Sequence, residues 1–174
     1  MNKKILLLVL LSQFLFCASN SKNKYQDNLE SSLEIKTSQI PKSGNGVYAK
    51  NNLESGIIIG AYKGKFITES EYNNLIDKNL WQYVMWLKDC SKPHLGNFVA
   101  IDGRNEGNIF TRINYAPSNF QNVKFEKICE PPFAVIKTLR AISRGEELYV
   151  DYGPDYIYDF MEDKDIKNFF KNKK

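Results

Sequence analysis

Cysteine and histidine are scarce in this chain. Its 174 residues include three cysteines and a single histidine, His94, and they contain no Cys-x-x-Cys motif and no cluster of cysteine with histidine. Structural zinc sites take four such ligands at short spacings. The sequence therefore predicts no metal site. Cys90 and Cys129 leave a disulfide open, but sequence does not show whether their Cα atoms come within about 7 Å, and we expect isolated core thiols.

A hydrophobic run long enough to cross a membrane is also absent. The longest run, residues 5–16, has about a dozen residues, whereas a membrane helix needs about 20. It follows Lys3 and Lys4 and ends before Cys17, Ala18 and Ser19, which is the layout of a secretory signal peptide over residues 1–19. Two fates stay open: lipid attachment at Cys17, as in bacterial lipoprotein precursors, or cleavage after Ser19 and release. Either predicts an exported protein, with membrane contact only through a lipid at Cys17.

Strong charge of one sign is missing too. The net charge is +4, and the lysines are scattered rather than gathered in a basic stripe, so we expect no direct nucleic-acid binding. Hydrophobic residues make up 43% and aromatic residues 13% of the chain, which is typical of one globular domain. The polar residues 20–32 read as a linker, and residues 33–174 as the domain.

Short segments with alternating or β-branched residues dominate the domain. They predict strands near residues 33–40, 47–49, 56–66, 81–88, 97–102, 123–128 and 133–139. A capping box at Thr68 and Glu71 predicts a helix to about Asp77. Apolar residues spaced by about 3.6 from Asp155 onward predict a C-terminal helix. The fold class is therefore mostly β, with several small sheets and few short helices.

Three short motifs follow one another along the domain. They are Gly44-Asn45-Gly46-Val47-Tyr48-Ala49, Arg112-Ile113-Asn114-Tyr115, and Gly145-Glu146-Glu147-Leu148-Tyr149-Val150-Asp151-Tyr152-Gly153. In this order and at these spacings they resemble the SET domain of protein lysine methyltransferases, over about residues 33–158. The resemblance implies the SET fold, also called β-clip, with a C-terminal segment threaded through an earlier loop, a knot-like feature that is rare in proteins.

The resemblance also implies a cofactor, S-adenosylmethionine (SAM). In the family, the Gly-x-Gly turn lets the backbone approach the methionine part of SAM, and glycine permits such close approach. The asparagine of the second motif and the backbone beside it also hold SAM. The cofactor-binding candidates are therefore Gly44, Gly46, Val47, Tyr48, Asn114 and Tyr115.

Two tyrosines are the catalytic candidates that the resemblance implies. Tyr62 matches the tyrosine that lines the channel for the target lysine, and Tyr152 matches the one beside the reacting nitrogen. Val150 stands where many members have a tyrosine or phenylalanine that governs how many methyl groups are added. Tyr156 or Tyr158 would cap the site, as aromatic residues do in zinc-free members.

The second motif departs from the family pattern. Thr111 stands at the usual arginine and Arg112 one position late, while Tyr115 replaces the usual histidine and Ala116 the usual serine. The PR/SET branch of the family also lacks that histidine. Whether these departures abolish activity is left open by the sequence.

Two functions are therefore carried forward. The first is SAM-dependent methylation of lysine side chains in proteins, with histones or other proteins of a host cell as substrates. The alternative is an inactive SET-like binding module, exported or anchored at the cell surface. The departures and the export signal favour the alternative, because SAM is an intracellular metabolite. Delivery into another cell would supply both SAM and lysine-rich substrates. Substrate identity, the number of methyl groups and the oligomeric state are not readable from the sequence.

Overall fold

A computed structural model of the protein describes residues 29–78, 80–87, 98–129, 132–153, 156 and 159–173. The signal peptide expected at residues 1–19, together with Cys90, His94 and Tyr158, lies outside the described residues. Among the described residues, no helix is long and apolar enough to cross a membrane.

The described part of the chain forms ten short strands and two α-helices. The strands are β1 (Leu33–Thr37), β2 (Asn45–Ala49), β3 (Ile58–Ala61), β4 (Lys65–Thr68), β5 (Val84–Trp86), β6 (Phe98–Asp102), β7 (Asn114–Tyr115), β8 (Val123–Cys129), β9 (Pro132–Thr138) and β10 (Tyr149–Val150). The helices are α1 (Glu69–Asp77) and α2 (Lys164–Asn172), and 3₁₀ turns form at Leu29–Ser32, Ile109–Arg112 and Asp159–Glu162.

The strands assemble into four small sheets, which confirms the mostly β fold. β1 pairs with β2, β9 lies between β3 and β8, and β6 lies between β4 and β5, all antiparallel. β7 and β10 form a parallel pair. The strand predicted at 81–88 is shorter than expected, because Val84 N donates to Trp81 O at 3.0 Å and closes a turn before β5.

The last strand of the fold is inserted between two segments that are far away in sequence. On one side Leu148 N donates to Val47 O at 2.8 Å, and on the other Tyr149 pairs with Asn114 in the β7–β10 register. The knot-like threading that the resemblance implied stays a prediction, and the pairing shows that β10 lies between β2 and β7. This position of β10 brings all three sequence motifs into contact.

Helix α1 begins where the sequence predicts. Thr68 Oγ1 accepts a hydrogen bond from Glu71 N at 3.3 Å, and Glu71 Oε2 accepts one from Thr68 N at 2.9 Å, so the capping box is complete. The helix ends at Asp77, as expected.

The C-terminal helix is shorter than its apolar spacing predicts. Asp163 has an extended conformation (φ −61°, ψ 131°) and separates the 3₁₀ turn at Asp159–Glu162 from α2. Its carboxylate accepts a hydrogen bond from Asp165 N at 2.8 Å, as an N-cap does. A helix period does not reveal such a break, because the apolar spacing continues across it.

The structure differs from the sequence-based expectation at Cys129 and at residues 29–32. Cys129 is disulfide-bonded, so the prediction of an isolated thiol is wrong for this residue. Its partner lies outside the described residues. The last four residues of the expected linker form the 3₁₀ turn at Leu29–Ser32, and Leu29 packs against the main core. Neither feature has a local sequence pattern, because both depend on contacts with distant parts of the chain.

Three groups of buried side chains stabilise the sheets. The main core joins β2, β3, β6, β8, β9 and β10 and includes Ile59, Tyr62, Phe110 and Val150. A second cluster lies between α2 and the region of Ala116 and Tyr149. A third, around Ile67, Leu75 and Ala100, packs α1 on the β4–β6–β5 sheet.

Candidate active site

An aromatic cavity of about 460 Å³ lies where the β4–β6–β5 sheet, β8 and the segment after β10 meet. Nine of its described lining residues are aromatic: Tyr62, Tyr72, Trp81, Tyr83, Trp86, Phe110, Phe125, Tyr152 and Tyr156. Both catalytic candidates are therefore in one cavity, although they are ninety positions apart in the chain. Tyr156, one of the two expected capping residues, lines it as well.

Tyr62 is held firmly in the cavity wall. Its ring is 7% exposed and packs edge-on against Phe125, with 5.9 Å between centroids. Its Oη donates to the backbone oxygen of Tyr83 at 2.7 Å. Gly103 passes so close that a Cβ there would lie 2.8 Å from this Oη. Burial, assisted by the negative charge of Asp102, raises the pKa of Tyr62 well above its usual value, so the phenol is neutral.

Asn108 explains why Tyr62 lies at this point. Its Nδ2 donates to Ala61 O at 2.9 Å, and its Oδ1 accepts from Lys63 N at 3.3 Å. The same Nδ2 donates to Glu30 Oε1 at 2.7 Å, which ties the 3₁₀ turn before β1 to this loop. The backbone is therefore fixed on both sides of Tyr62.

Tyr152 enters the cavity from the segment after β10. Its Oη donates to Ile113 O at 3.0 Å, and its ring contacts Tyr156 and Tyr115 at centroid distances of 4.7 and 5.9 Å. Burial raises the pKa of Tyr152 well above the ordinary tyrosine value. Both catalytic candidates thus keep their protons and direct them to backbone carbonyls. The lone pairs of each phenol oxygen stay available as acceptors.

The Gly-x-Gly turn lies beside Asn114, outside the aromatic cavity. A Cβ on Gly46 would stand 2.0 Å from Glu147 Oε1 and 3.2 Å from Asn114 Nδ2, so only glycine fits there. Gly44 has φ +67°, which favours glycine, and a Cβ there would meet nothing within 4 Å. The close approach at Gly46 is therefore to Glu147, whereas Gly44 faces open space.

Val47 and Tyr48 follow the turn, but their side chains are committed to the interior. Val47 is fully buried in the main core. Tyr48 is 5% exposed, and its Oη donates its one proton to Glu147 Oε2 at 2.9 Å, with Thr37 O also 2.9 Å away. These two residues can therefore offer a cofactor only their backbone.

Asn114 and Tyr115 connect the turn to the cavity. Asn114 Nδ2 donates to Asn45 O at 3.0 Å and to Glu147 Oε1 at 3.2 Å. The Tyr115 ring packs against Tyr152 on one side and Phe160 on the other, each at 5.9 Å between centroids. Phe160 comes from the 3₁₀ turn before α2, so the C-terminal segment contributes to the wall around Tyr115.

Glu147 is the residue whose importance the sequence did not reveal. It is 1% exposed, yet its carboxylate accepts hydrogen bonds from five described donors at 2.7–3.2 Å: Ser38 Oγ, Gln39 N, Tyr48 Oη, Asn114 Nδ2 and Tyr149 Oη. A buried carboxylate is tolerated only when its lone pairs are satisfied in this way. The sequence signal was present, since Glu147 is part of the third motif, but a glutamate in a turn reads as a surface residue.

Arg112, displaced by one position from the family pattern, supports the rim of the cavity. Its Nη1 donates to Tyr83 Oη at 3.3 Å, and its guanidinium lies over the Tyr83 ring at 5.1 Å. Thr111, at the usual arginine position, donates its hydroxyl to Asn108 O at 2.8 Å.

Val150 is fully buried in the main core. Among the described residues, no group of three or more His, Cys, Asp or Glu is arranged to hold a metal ion.

The family follows from this arrangement and from comparison. The SET domain family model matches residues 44–153, which contain all three motifs and both cavity tyrosines. The chain therefore belongs to the SET domain family.

Of two curated relatives, one agrees with this assignment and the other carries an unrelated name. Histone-lysine N-methyltransferase SETD7 of Halocynthia roretzi is 29% identical over 126 residues, 66% of this chain and 30% of that protein. A 77-residue stretch, 41% of the chain, is 36% identical to part of the outer membrane usher protein FimD of Escherichia coli K12, 9% of that protein. The chain thus spans between about a tenth and a third of the curated relatives it matches.

Solved structures show the same fold. The Neurospora SET domain protein DIM-5, a histone lysine methyltransferase, superposes with a TM-score of 0.60 at 20% identity, over 72% of this chain and 53% of that one. The methyltransferase domain of human PR domain-containing protein 2 superposes with a TM-score of 0.54 at 27% identity, over 72% of this chain and 80% of that one. The second likeness is in keeping with the PR/SET-like replacement of histidine by Tyr115.

Proposed function

We propose that the protein is a SAM-dependent protein-lysine N-methyltransferase. The observation that carries this proposal is the meeting of Tyr62 and Tyr152 in one aromatic cavity, with both hydroxyl protons directed to backbone carbonyls. Family membership supports it, as do the relatives that are named histone-lysine methyltransferases.

The cavity suits a lysine that must react as a neutral amine. A free lysine has a pKa of about 10.4, so at neutral pH few molecules are unprotonated. Transfer into an aromatic cavity disfavours the charged form by desolvation. The phenol oxygens of Tyr62 and Tyr152 then accept hydrogen bonds from the two N–H groups of the amine. The lone pair of the nitrogen therefore faces away from them. Tyr152 also helps the departing proton to reach water.

The residues beside Asn114 fit a SAM molecule. Gly44 adjoins open space, Gly46 leaves room for the Glu147 carboxylate that accepts from Asn114, and Asn114 Nδ2 fixes the backbone of Asn45. Gly44, Gly46, Asn114 and Tyr115 would therefore hold the cofactor, with Val47 and Tyr48 contributing backbone groups. When bound, SAM supplies a methyl group activated by a sulfonium. The protein's part is alignment of the amine, which is worth up to about 7–11 kcal/mol in well-oriented systems.

The site of action belongs to the same proposal. Export rests on the signal peptide expected at residues 1–19, with lipid attachment at Cys17 or release after Ser19. The disulfide at Cys129 supports it, because disulfides persist in oxidising compartments. An exported methyltransferase needs SAM from elsewhere, and a host cell provides it. The substrates would then be lysines of histones or other host proteins.

An inactive SET-like binding module is the second candidate. Two observations favour it: Tyr115 occupies the position of the usual histidine, and the guanidinium of Arg112 is engaged with Tyr83 rather than placed as in the family motif. Such a module would keep the fold and the aromatic cavity, and would bind a partner without transferring a methyl group.

The test combines SAM binding by calorimetry with transfer of labelled methyl groups to histones and to a peptide pool. Binding together with labelling that Tyr152→Phe slows about a hundredfold would establish the methyltransferase. Absence of SAM binding, in protein shown to be folded, would overturn it in favour of the binding module.

A further inference from the structure

Lys173 caps the C-terminal end of helix α2 and lies at the edge of the Glu147 network. Its Nζ donates to Tyr149 Oη at 3.0 Å and to Gln39 Oε1 at 2.8 Å. The same ammonium lies over the rings of Tyr149 and Phe169, at 4.7 and 4.8 Å from their centroids. It is therefore fixed between helix α2 and the loop that joins β1 to β2.

Both hydrogen-bond partners of Lys173 also donate to one carboxylate oxygen. Tyr149 Oη donates to Glu147 Oε2 at 2.9 Å, and Gln39 N donates to the same oxygen at 2.8 Å. Burial raises the pKa of Tyr149 well above its usual value, so the phenol keeps its proton. The phenol thus accepts from the ammonium and donates to the carboxylate, and in such a series each hydrogen bond polarises and strengthens the next.

The ammonium brings a positive charge close to a buried negative one. Glu147 is 1% exposed, and all five of its described donors are neutral groups. A carboxylate away from water is costly unless hydrogen bonds and an opposite charge compensate it. Desolvation lowers the pKa of Lys173, and the negative charge of Glu147 acts in the opposite direction. The two charges therefore interact across the Tyr149 hydroxyl.

The other oxygen of the carboxylate faces the cofactor candidates. Glu147 Oε1 accepts from Asn114 Nδ2 at 3.2 Å, and a Cβ on Gly46 would lie 2.0 Å from it. Asn114 Nδ2 also donates to Asn45 O at 3.0 Å, which holds the Gly-x-Gly turn. A continuous series of hydrogen bonds therefore leads from the end of α2 to the residues proposed to hold SAM.

We propose that Lys173 is a positioning residue for the cofactor, which couples the docking of helix α2 to the affinity for SAM through Tyr149 and Glu147. This inference rests on the proposed function, since it takes Asn114 as part of the SAM site. With the ammonium in place, the carboxylate is compensated and holds the Asn114 amide in one orientation. Without it, the hold on the carboxylate weakens and the amide loses that orientation.

Substitution of Lys173 separates positioning from packing. Lys173→Met keeps an apolar stem beside Phe169 and removes the ammonium. We expect its SAM affinity, measured by calorimetry, to fall about three- to thirtyfold, while the rate of methyl transfer at saturating SAM is unchanged. Lys173→Arg keeps a charge and several donors and should restore most of the affinity. Lys171→Met, on the exposed side of the same helix, should bind SAM as the wild type does.

Three results with these variants would overturn the inference. They are wild-type affinity in folded Lys173→Met, an equal loss of affinity in Lys171→Met, and a fall in the rate at saturating SAM as large as the fall in affinity. The route through Tyr149 is tested in a Tyr149→Phe background. There Lys173→Met should cost less than about half of what it costs in the wild type, and an equal cost in both backgrounds excludes that route.

The wild-type protein offers a second measurement that does not depend on the folding of a variant. Coupling is reciprocal, so bound SAM must hold Lys173 more firmly. The protein is acetylated briefly with acetic anhydride, with and without SAM, and the acetylated lysines are measured by mass spectrometry. SAM is expected to lower the ratio of acetylation at Lys173 to that at Lys171 about threefold or more. An unchanged ratio contradicts the coupling.

These experiments separate the inference from the proposed function. SAM binding and methyl transfer that do not respond to Lys173 keep the methyltransferase and overturn the inference. Folded wild-type protein that binds no SAM overturns the proposed cofactor site, and the inference with it. SAM binding that depends on Lys173, without transfer to any peptide, overturns the methyltransferase and leaves the coupling as a property of a SAM-binding module.

Discussion

The two faces of strand β7 make different kinds of contact. On one side, Asn114 joins a polar network around the buried Glu147. On the other, Tyr115 joins the aromatic wall that includes Tyr152. Adjacent residues of a strand point in opposite directions, so two consecutive residues serve two environments. A polar network and an aromatic wall therefore meet at one strand without sharing a kind of interaction.

This difference has consequences for sensitivity to change. The Glu147 network depends on individual donors and acceptors, and each buried polar atom that loses its partner costs about 1–3 kcal/mol. The aromatic cavity depends on packing and on two hydroxyl groups that are directed to carbonyls. We therefore expect substitutions in the network to lower stability, and substitutions in the cavity to lower activity while the fold is kept.

The largest effect is expected for Glu147→Ala. The change removes an acceptor from five described donors, of which Tyr48 and Asn114 keep a second one, and we expect the free energy of unfolding to fall by about 3–5 kcal/mol. Urea unfolding measures it. Glu126→Ala is the control, because this partly exposed carboxylate pairs with Lys124 and Lys137, and its loss should cost under about 1 kcal/mol. A similar loss of unfolding free energy in both variants would show that the Glu147 network does not contribute more to stability than a surface ion pair.

Tyr152→Phe tests the other side of the comparison. We expect the rate of methyl transfer to fall about a hundredfold, or about 2.7 kcal/mol, because the amine loses an oriented acceptor. SAM affinity should be unchanged, and stability should fall by no more than about 1.5 kcal/mol.

Tyr149→Phe is the matched variant, because it removes a hydroxyl that donates to Glu147 instead. It should lower the stability and the SAM affinity. The rate of methyl transfer at saturating SAM should fall less than it does in Tyr152→Phe. If the two variants show the same pattern, the division between network and cavity is wrong.

The Gly-x-Gly turn offers a smaller and more local comparison. Gly46→Ala places a Cβ against Glu147 Oε1 and should cost about 1–3 kcal/mol of stability, together with SAM affinity. Gly44→Ala meets no atom and should cost only the strain of its positive φ, about 1–2 kcal/mol. The network explanation predicts that Glu147→Ala, which removes the obstructing atom, makes Gly46→Ala less costly in a double-mutant cycle. Strict additivity would count against it.

The smallest effect concerns Asp102, beside the cavity. Hydrogen bonds from the Arg104 side chain, together with one from its backbone, hold the pKa of Asp102 below its usual value. The ionised form therefore stabilises the fold above the unfolded-state pKa of about 3.9, and this contribution is lost as the pH falls toward the folded-state pKa. We expect it to be about 1 kcal/mol, because Asp102 is buried but the side chain of its partner Arg104 is partly exposed. Thermal unfolding of wild type should lose more between pH 6 and pH 2 than that of Asp102→Asn.

Several local features were predictable because neighbours in sequence determine them. The capping box at Thr68 and Glu71 specified the start of α1, and alternation located most strands within a few residues. The break at Asp163 was missed because the apolar period continues through it. The disulfide at Cys129 was missed because nothing in the flanking residues encodes the position of a distant cysteine.

The sequence by itself determined the family, through three ordered motifs, and with it the residues that deserved attention. Only the tertiary structure decided which of them meet. Tyr62 and Tyr152 line one cavity, and Ser38 and Glu147 form a hydrogen bond across 109 positions, because the C-terminal segment returns between β2 and β7. The role of Glu147 belongs to that return path. A local pattern records which side chains share a face, and the path of the whole chain decides what that face will touch.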